Sequence, residues 1–360
     1  VLDMSRLWLY TESTGTESAS FLPGAFFWKI GDSKNTVERM NPMKTRKLGT
    51  LEVTALGVGC MGMSHALGKA MDIDEGAKVL RAAVDMGYTF FDTAKNYGYV
   101  GDPHHNEKIL GKAFQSMRDK VVIATKCGVD FDYAVDPDMP PLLYDSSREG
   151  IRKSVEGSLQ RLGTDYIGLY FQARVDPKVE PEEVADTMKE LMQEGKILHW
   201  GISEMPADYL RRAHRVCPVT AVENRYNVIN REHEDLIPFL EENHIGWVAH
   251  GPMFKGLLSG TFQKGARFAR DDWRSNSIND ENLDCYGALL QYLGALGEEK
   301  HATAGQLSLA WILHRKPYIV PIPGMRSVQR LEENAKALEI TLSPEKMEKI
   351  DALLDAAAQN

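Results

Sequence analysis

The sequence has few cysteines, no long apolar run and no surplus of positive charge. Its cysteines are widely spaced and form no Cys-X-X-Cys pair, so neither a disulfide framework nor a zinc knuckle is expected; they are Cys60, Cys127, Cys217 and Cys285. No apolar run reaches the roughly 18 residues of a membrane-spanning helix. The formal net charge is −9 without a basic stripe, which argues against a nucleic-acid partner.

The length and composition suit one large α/β domain, because 43% of the 360 residues are hydrophobic. Free thiols are typical of a reducing compartment, so we expect the protein in the cytoplasm. Residues 1–42 are predicted to be a poorly patterned N-terminal extension, and residues 43–360 a single domain. The extension is either loosely ordered, following a misassigned start, or a cap that packs its Phe-Phe-Trp run onto the domain.

Strand and helix patterns alternate from residue 54 onward. The predicted strands are 54–60, 88–93, 121–126, 165–171, 197–203, 219–224, 245–250 and 318–324. Helix starts carry capping signals, in which Asp72 precedes Glu75 and Ser146 precedes Glu149. Short apolar strands at roughly 30-residue spacing predict a (β/α)8 TIM barrel with an N-terminal hairpin cap, a long insert after strand seven and a C-terminal helix. A doubly wound sheet is disfavoured, because the glycines after the first strand lack the GxGxxG spacing.

Polar residues end the predicted strands, where the chemistry of such a barrel takes place. Lys126 ends the third strand, and a buried lysine needs a partner, which Asp92 at the end of the second strand can supply. A neighbouring cation lowers the pKa of a tyrosine, so Tyr97 is a candidate proton donor to a substrate oxygen. A structural Asp92–Lys126 pair with Tyr97 at its rim is the alternative.

Several motifs, in order over about residues 44–340, resemble the NADP-dependent aldo/keto reductases. They are GCMGMS, FFDTAKNYG, NEKILGKAF, VVIATKCG, RLGTDYIGLY, RVDP, WGISE and VPIPGMRSVQRLEEN. The resemblance implies hydride transfer from NADPH to an aldehyde or ketone, a small-molecule carbonyl substrate. It also implies a catalytic tetrad in which Tyr97 is the general acid, Lys126 depresses the pKa of Tyr97, and Asp92 holds Lys126. The fourth member, a histidine in the family, is Ala173 in FQARVDP.

The same resemblance implies the NADPH contacts. They are Ser203, Glu223, His250 and Gly251 at the nicotinamide end, Met253 and Lys255 under the pyrophosphate, and Gly324, Arg326, Arg330, Glu333 and Asn334 at the adenosine end. Arg326 is expected to clamp the 2′-phosphate, because a planar guanidinium suits phosphate. The family usually has glutamine at position 223, an aromatic residue followed by serine at 250 and 251, and aspartate at Gly168. We therefore expect a nicotinamide end that is altered on three sides.

Ala173 leaves the function open. Loss of one donor to the reacting oxygen typically costs about 10²–10³ in rate. Ala173 is either an adaptation to a different substrate or the mark of a weakened site, with His104 or His105 as candidate replacement donors and Trp273 as a candidate substrate wall. The rivals are a nucleotide-binding regulatory or interaction protein with little turnover, and an enzyme of C=C reduction or non-redox proton chemistry. No metal ligand cluster is seen, and monomer or homo-oligomer stays undetermined.

Overall fold

The computed structural model describes residues 43–357 in full and, before them, only the backbone of two short strands. These are β1 (Phe27–Lys29) and β2 (Glu38–Met40), which pair antiparallel as a unit of their own. The side chains on which the predicted packing of the Phe-Phe-Trp run depends lie outside the described residues.

The unit that begins at residue 43 opens with a hairpin of β3 (Thr45–Leu48) and β4 (Leu51–Thr54). The described strands that follow are β5 (Val58–Gly59), β6 (Phe90–Asp92), β7 (Val122–Cys127), β8 (Val129–Phe131), β9 (Leu142–Tyr144), β10 (Leu169–Gln172), β11 (Trp200–Ser203), β12 (Ala221–Arg225), β13 (Gly246–His250) and β14 (Ile319–Pro321). Strands β8 and β9 form a hairpin after β7 that the sequence did not predict. The other eight form one parallel sheet, in the order in which they occur along the chain.

The sheet closes on itself between its first and last strands. The backbone N–H of Gly59 donates to the carbonyl of Pro323 at 3.0 Å, and Gly59 also bridges Gly324 in parallel. A Cβ on Gly59 would lie 2.5 Å from the carbonyl oxygen of Ile322, so this close approach requires glycine. The predicted (β/α)8 barrel is therefore confirmed, although every barrel strand except β7 is shorter than its apolar run.

Helices alternate with the barrel strands. They are α1 (Ile73–Asp85), α2 (His105–Phe114), α3 (Arg148–Leu162), α4 (Pro181–Gln193), α5 (Ala207–Val216), α6 (Ile237–Glu242), α7 (Asp280–Cys285), α8 (Gly287–Lys300), α9 (Ala304–Arg315), α10 (Val328–Ala335) and α11 (Pro344–Ala357). The side chain of Asp72 caps α1 as predicted. The cap of α3 is Ser147 rather than Ser146, because the Ser146 hydroxyl instead accepts from Gln172 inside the domain. The predicted insert after strand seven contains two helices, α7 and α8.

The hairpin of β3 and β4 closes the end of the barrel at which its strands begin. Leu48 and Val53 from the hairpin are buried with Phe90, Phe171 and other inward-facing strand residues in the barrel interior. Leu48 packs so closely on the start of β13 that a Cβ on Gly246 would lie 2.4 Å from the Cα of Leu48. The predicted hairpin cap is thus confirmed. It leaves the opposite end, where the strands finish, available for a site.

Candidate active site

Three ionisable side chains meet at the end where the barrel strands finish. The ammonium of Lys126, at the end of β7, contacts the carboxylate of Asp92 from β6 and lies 3.2 Å from Oε1 of Glu223 on β12. It also donates to the carbonyl oxygen of Thr93 at 2.9 Å. All three side chains are at most 4% exposed. Two carboxyl groups therefore share one buried ammonium, whereas the sequence predicted a single Asp92–Lys126 pair.

Tyr97 lies against this cluster, with its ring centre 5.4 Å from the Lys126 nitrogen. A polar network holds its backbone, because the carbonyl of Tyr97 accepts from the N–H of Asn106 at 3.0 Å and from the Ser64 hydroxyl at 3.0 Å. Asn106 in turn donates to Ser64 at 2.6 Å, which ties the start of α2 to the loop after β5. The motif that follows Tyr97 along the chain thus positions the phenol.

The ionisation of Tyr97 differs from the sequence-based expectation. Burial raises the pKa of Tyr97 to about 12, because the lowering by Lys126 is countered by the negative charges of Asp92 and Glu223. Arg174 is the second cation that lowers it. The prediction that Lys126 brings the pKa of Tyr97 below its usual value is therefore wrong, since it counted one carboxylate and left out burial.

Glu223 has the most unusual environment of the three ionisable groups. Burial raises its pKa, the charge of Asp92 raises it further, and Lys126 opposes both. Oε1 faces Lys126, whereas Oε2 is buried without a hydrogen-bond partner of normal geometry among the described residues. Burial also raises the pKa of Asp92. Both carboxyl groups thus hold protons more firmly than free carboxylic acids do.

Ala173 directly follows β10 and is 8% exposed. Its N–H donates to the carbonyl of Cys127 at 2.9 Å, which continues the strand pairing of β10 with β7 by one residue. The guanidinium of Arg174 turns back and donates to the Ser203 hydroxyl at 3.3 Å. Ser203 is opposite Glu223 in the register of β11 and β12. The structure thus brings Ala173, Arg174, Ser203 and Glu223 to one edge of the barrel.

His250, at the end of β13, is held by a residue to which the sequence assigned no role. Its Nε2 donates to Oε1 of Glu204 at 2.6 Å, and Glu204 also accepts from the backbone N–H of Arg225 at 2.7 Å. Burial lowers the pKa of His250, so its imidazole is neutral at physiological pH. Gly251 follows with a φ of 61°, a left-handed conformation that favours glycine over serine.

The loop after β13 contains adjacent left-handed residues. Phe254, Lys255 and Gly256 have φ values of 47°, 53° and 106°, and Met253 precedes them as the N-cap of the short 3₁₀ segment. Such conformations are uncommon outside glycine and cluster at ligand sites. The ammonium of Lys255 donates to the carbonyl of Trp273 at 2.9 Å. The predicted pyrophosphate loop therefore has a strained backbone, and its lysine is directed toward the insert.

The residues assigned to the adenosine end surround the start of α10. Arg326 donates to the carbonyls of Leu67 at 2.9 Å and Lys69 at 2.6 Å, which links the loops after β5 and β14. Arg330 is half exposed and pairs with Glu333 at 2.8 Å. Asn334 is buried, and Gly324 is exposed with no atom within 4 Å of a built Cβ. The residues between 324 and 334 that the sequence assigned to the adenosine end thus lie together at one corner of the barrel.

An aromatic cluster beside Tyr97 was missed except for Trp273. His65 stacks on Tyr97 with ring centres 5.8 Å apart and on Phe131 at 4.8 Å, and Trp273 meets its edge at 5.1 Å. His65 directly follows the GCMGMS motif, which was the available signal. Trp273 contacts the His65 ring that stacks on Tyr97, and its role as a substrate wall stays a prediction.

Three other expectations are corrected. Both ring nitrogens of His105 are bonded, to the Met71 carbonyl at 2.8 Å and to Asp102 at 3.1 Å, and Nδ1 of His104 contacts the Lys95 carbonyl at 2.5 Å. These contacts tie both rings to the entry of α2 and disfavour them as replacement donors. Gly168 precedes β10, and a Cβ there would meet Val122 near the start of β7. It lies at the other end of the barrel from Ala173, so it is not part of the site that contains Ala173.

Residues 43–357 offer neither a metal site nor a membrane-spanning helix. No three histidine, cysteine, aspartate or glutamate side chains of residues 43–357 are grouped so that they could hold a metal ion. In the same part of the chain, no helix is long and apolar enough to cross a membrane.

Comparison with known proteins points to one family. The family model described as "Aldo/keto reductase family" matches residues 55–355. A probable aldo-keto reductase 1 of Glycine max is 36% identical over 315 residues, which cover 84% of this chain and 87% of that protein. A glycerol dehydrogenase of Gluconobacter oxydans has a similar structure, with a TM-score of 0.78, 26% identity and coverage of 88% of this chain and 96% of that one. An aldo/keto reductase of Klebsiella pneumoniae, solved in complex with NADP and acetate, also has a similar structure. Its TM-score is 0.65 at 26% identity, and the match covers 87% of this chain and 95% of that one.

Proposed function

We infer the function from one premise, which is that the chain belongs to the aldo/keto reductase family. We propose that it reduces the carbonyl group of an aldehyde or ketone with NADPH, and that Tyr97 is the general acid. The observation that carries the proposal is the buried contact of Asp92 with Lys126 directly beside the Tyr97 ring. The cytoplasm is the proposed compartment, because the four cysteines are free.

The residues at the open end of the barrel suit a nicotinamide nucleotide. Oε2 of Glu223 is a buried polar atom without a partner of normal geometry, and Ser203 lies opposite Glu223 in the register. A carboxamide offers donors and an acceptor that match such groups. Arg326 and Arg330 lie at the start of α10, where guanidinium groups and a helix N-terminus both favour phosphate. These features support NADP(H) as the cofactor.

The chain's own residues account for the proton that carbonyl reduction requires. NADPH supplies the hydride when it is bound, and the developing alkoxide oxygen needs a proton in the same step. The phenol of Tyr97 is protonated at neutral pH, because burial raises its pKa to about 12. Lys126 and Arg174 are the two cations that stabilise the phenolate left behind. Asp92 holds the Lys126 ammonium in place, and the backbone network through Asn106 fixes the position of the phenol.

Replacement of Tyr97 by phenylalanine tests this proposal. We expect Tyr97→Phe to lower the turnover of NADPH with an aldehyde and ketone panel by about 10²–10⁴-fold, because only the acid is removed. The Kd for NADPH, followed by protein fluorescence, should stay nearly unchanged. Tyr99→Phe is the matched control, since Tyr99 is 44% exposed. The turnover rate of this variant should equal that of the parent chain. Equal rates in the parent and Tyr97→Phe would exclude Tyr97 as the acid, and NADPH binding without turnover of any carbonyl would favour the regulatory alternative.

A further inference from the structure

Glu223 places a second carboxyl group at Lys126, although the proposed reaction needs only one carboxylate, that of Asp92, to hold this lysine. The Glu223 side chain is 3% exposed, with Oε1 at 3.2 Å from the Lys126 ammonium. Its Oε2 is buried and has no hydrogen-bond partner of normal geometry among the described residues. Asp92 already pairs with the same ammonium, so Glu223 is not needed to neutralise Lys126. The Glu223 carboxyl group therefore has one oxygen that Lys126 does not engage.

The position of Glu223 restricts what it can act on. If Tyr97 protonates a carbonyl oxygen, the hydride donor must lie within about 3–3.5 Å of the adjoining carbon. The Tyr97 ring and the Glu223 carboxyl group both contact the Lys126 ammonium, and the charge of Glu223 acts on Tyr97. A nicotinamide ring placed for transfer is consequently a near neighbour of the Glu223 carboxyl group. The oxidised ring carries a positive charge that the reduced ring lacks.

We propose that Glu223 makes the preference of this site between oxidised and reduced nucleotide depend on pH. Protonated Glu223 discriminates little between the two forms, whereas ionised Glu223 favours NADP⁺ over NADPH. Rising pH therefore shifts the bound couple toward the oxidised form. The inference rests on the proposed function, because it assumes that a nicotinamide nucleotide occupies the site.

The surroundings of Glu223 place its ionisation in an accessible range. The charged and titratable groups that face it are Asp92 from β6, Lys126 from β7, Arg174 after β10 and Tyr97, with His250 from β13 beside Asp92. Burial and the charge of Asp92 raise the pKa of Glu223, so it exchanges its proton closer to neutrality than a free glutamic acid. Asp92 and Glu223 share Lys126 and titrate as a pair.

Apart from Asp92, which titrates together with Glu223, the facing groups keep one charge state between about pH 6.5 and pH 9. Tyr97 stays neutral because burial raises its pKa to about 12, and the pKa of Lys126 is raised, with burial opposed by its two carboxylate partners. His250 is neutral, because burial lowers its pKa. A glutamine at position 223 has no proton to lose, so only the carboxyl group gives a pH-dependent preference.

Nucleotide binding measures the effect without reference to turnover. The Kd values of NADPH and NADP⁺ are determined by titration calorimetry at about pH 6.5 and about pH 9, for the full chain and for Glu223→Gln. We expect the ratio of Kd for NADPH to Kd for NADP⁺ to rise by about tenfold with pH in the parent chain, as for a unit charge near a partly screened cation. In Glu223→Gln the ratio should stay constant. Both nucleotides carry the same phosphates, so phosphate ionisation cancels from the ratio.

Glu204→Gln is the matched control for removal of a carboxylate at the same edge. Hydrogen bonds from His233 and His250 outweigh burial and lower the pKa of Glu204, so it is ionised throughout this range. The pH dependence of the ratio should therefore persist in Glu204→Gln. A constant ratio in the parent chain, or an equal rise in Glu223→Gln, would overturn the inference while leaving NADP(H) binding intact. Failure of the parent chain to bind either nucleotide would overturn the proposed function together with the inference.

Discussion

The Lys126 ammonium lies 5.4 Å from the centre of the Tyr97 ring, yet the pKa of Tyr97 is raised to about 12. Burial disfavours the phenolate, and the carboxylates of Asp92 and Glu223 add to this effect. Lys126 and Arg174 act in the opposite direction and limit the rise. The lysine in this site therefore moderates the pKa of a buried tyrosine instead of producing a low one. The phenol is consequently an acid over the whole physiological range of pH.

This relationship predicts the pH profile of the reaction. Because the acid form of Tyr97 persists until the pH approaches its raised pKa, its ionisation should not limit carbonyl reduction below about pH 10. Alcohol oxidation needs the phenolate and should rise with pH over the same range. The measurement is kcat/KM in both directions against pH. The prediction would be contradicted if kcat/KM for reduction fell with a midpoint near pH 7 in both the parent chain and Glu223→Gln. Ionisation of Glu223 could not then explain the fall.

The barrel and the central residues of the site were predictable from the sequence, because both depend on local patterns. Apolar runs bounded by glycine and helix caps indicated the order of strands and helices, and a lysine at the end of an apolar strand indicated a buried partner. Asp92, Lys126 and Tyr97 meet as that reasoning required. Most strand lengths were overestimated, since apolar residues continue into the turns next to the strands.

The contacts that were missed join residues far apart in the chain. Glu204 meets His250 across 46 positions, and Lys126 meets Glu223 across nearly a hundred. No periodicity encodes such pairs, because strand register and side-chain rotamers decide them. The direction of the Tyr97 pKa also depended on them, since the second carboxylate and the depth of burial become apparent only once the barrel has closed.

Removal of Lys126 should lower the free energy of unfolding as well as the rate of the reaction. Lys126→Met leaves two buried carboxyl groups without their cation, and breaking such a pair costs about 3–5 kcal/mol. Asp92 and Glu223 can stay protonated at low pH, so the loss should grow as pH rises and the unfolded chain releases those protons. Urea denaturation at two pH values measures it. Lys108→Met is the control, because the Lys108 side chain is 43% exposed and its pair with Asp102 should contribute less than about 1 kcal/mol. Equal losses in the two variants would contradict the argument.

Arg326 should determine the preference for NADPH over NADH. It now bonds the carbonyls of Leu67 and Lys69, and a 2′-phosphate would give its guanidinium a charged partner. A hydrogen bond to a charged group contributes about 1.5–3 kcal/mol, so Arg326→Ala should weaken NADPH binding by roughly 10–100-fold and leave NADH nearly unchanged. Arg326→Lys should give an intermediate ratio, because it keeps the charge without the planar fork. An unchanged ratio of the two Kd values would mean that the phosphate binds elsewhere.

Ala173 is the position at which the substrate range can be tested. Its side chain is small and 8% exposed, and the neighbouring Arg174 already supplies a second cation that acts on Tyr97. We therefore expect Ala173 to be an adaptation. In Ala173→His, kcat/KM should rise for a small aldehyde, by up to about 10²–10³-fold for one added donor. It should fall for the bulkiest ketone that the parent chain reduces, because the ring fills the space that alanine leaves.

Ala173→Phe separates the two effects, since it adds a ring of similar size that cannot donate a hydrogen bond. It should lower kcat/KM for the bulky ketone as the histidine does, without the gain for the small aldehyde. If Ala173→His instead improves every carbonyl compound in the panel and Ala173→Phe harms none, the space beside Ala173 is not used by substrate. Ala173 would then mark a reductase weakened by the loss of one hydrogen-bond donor.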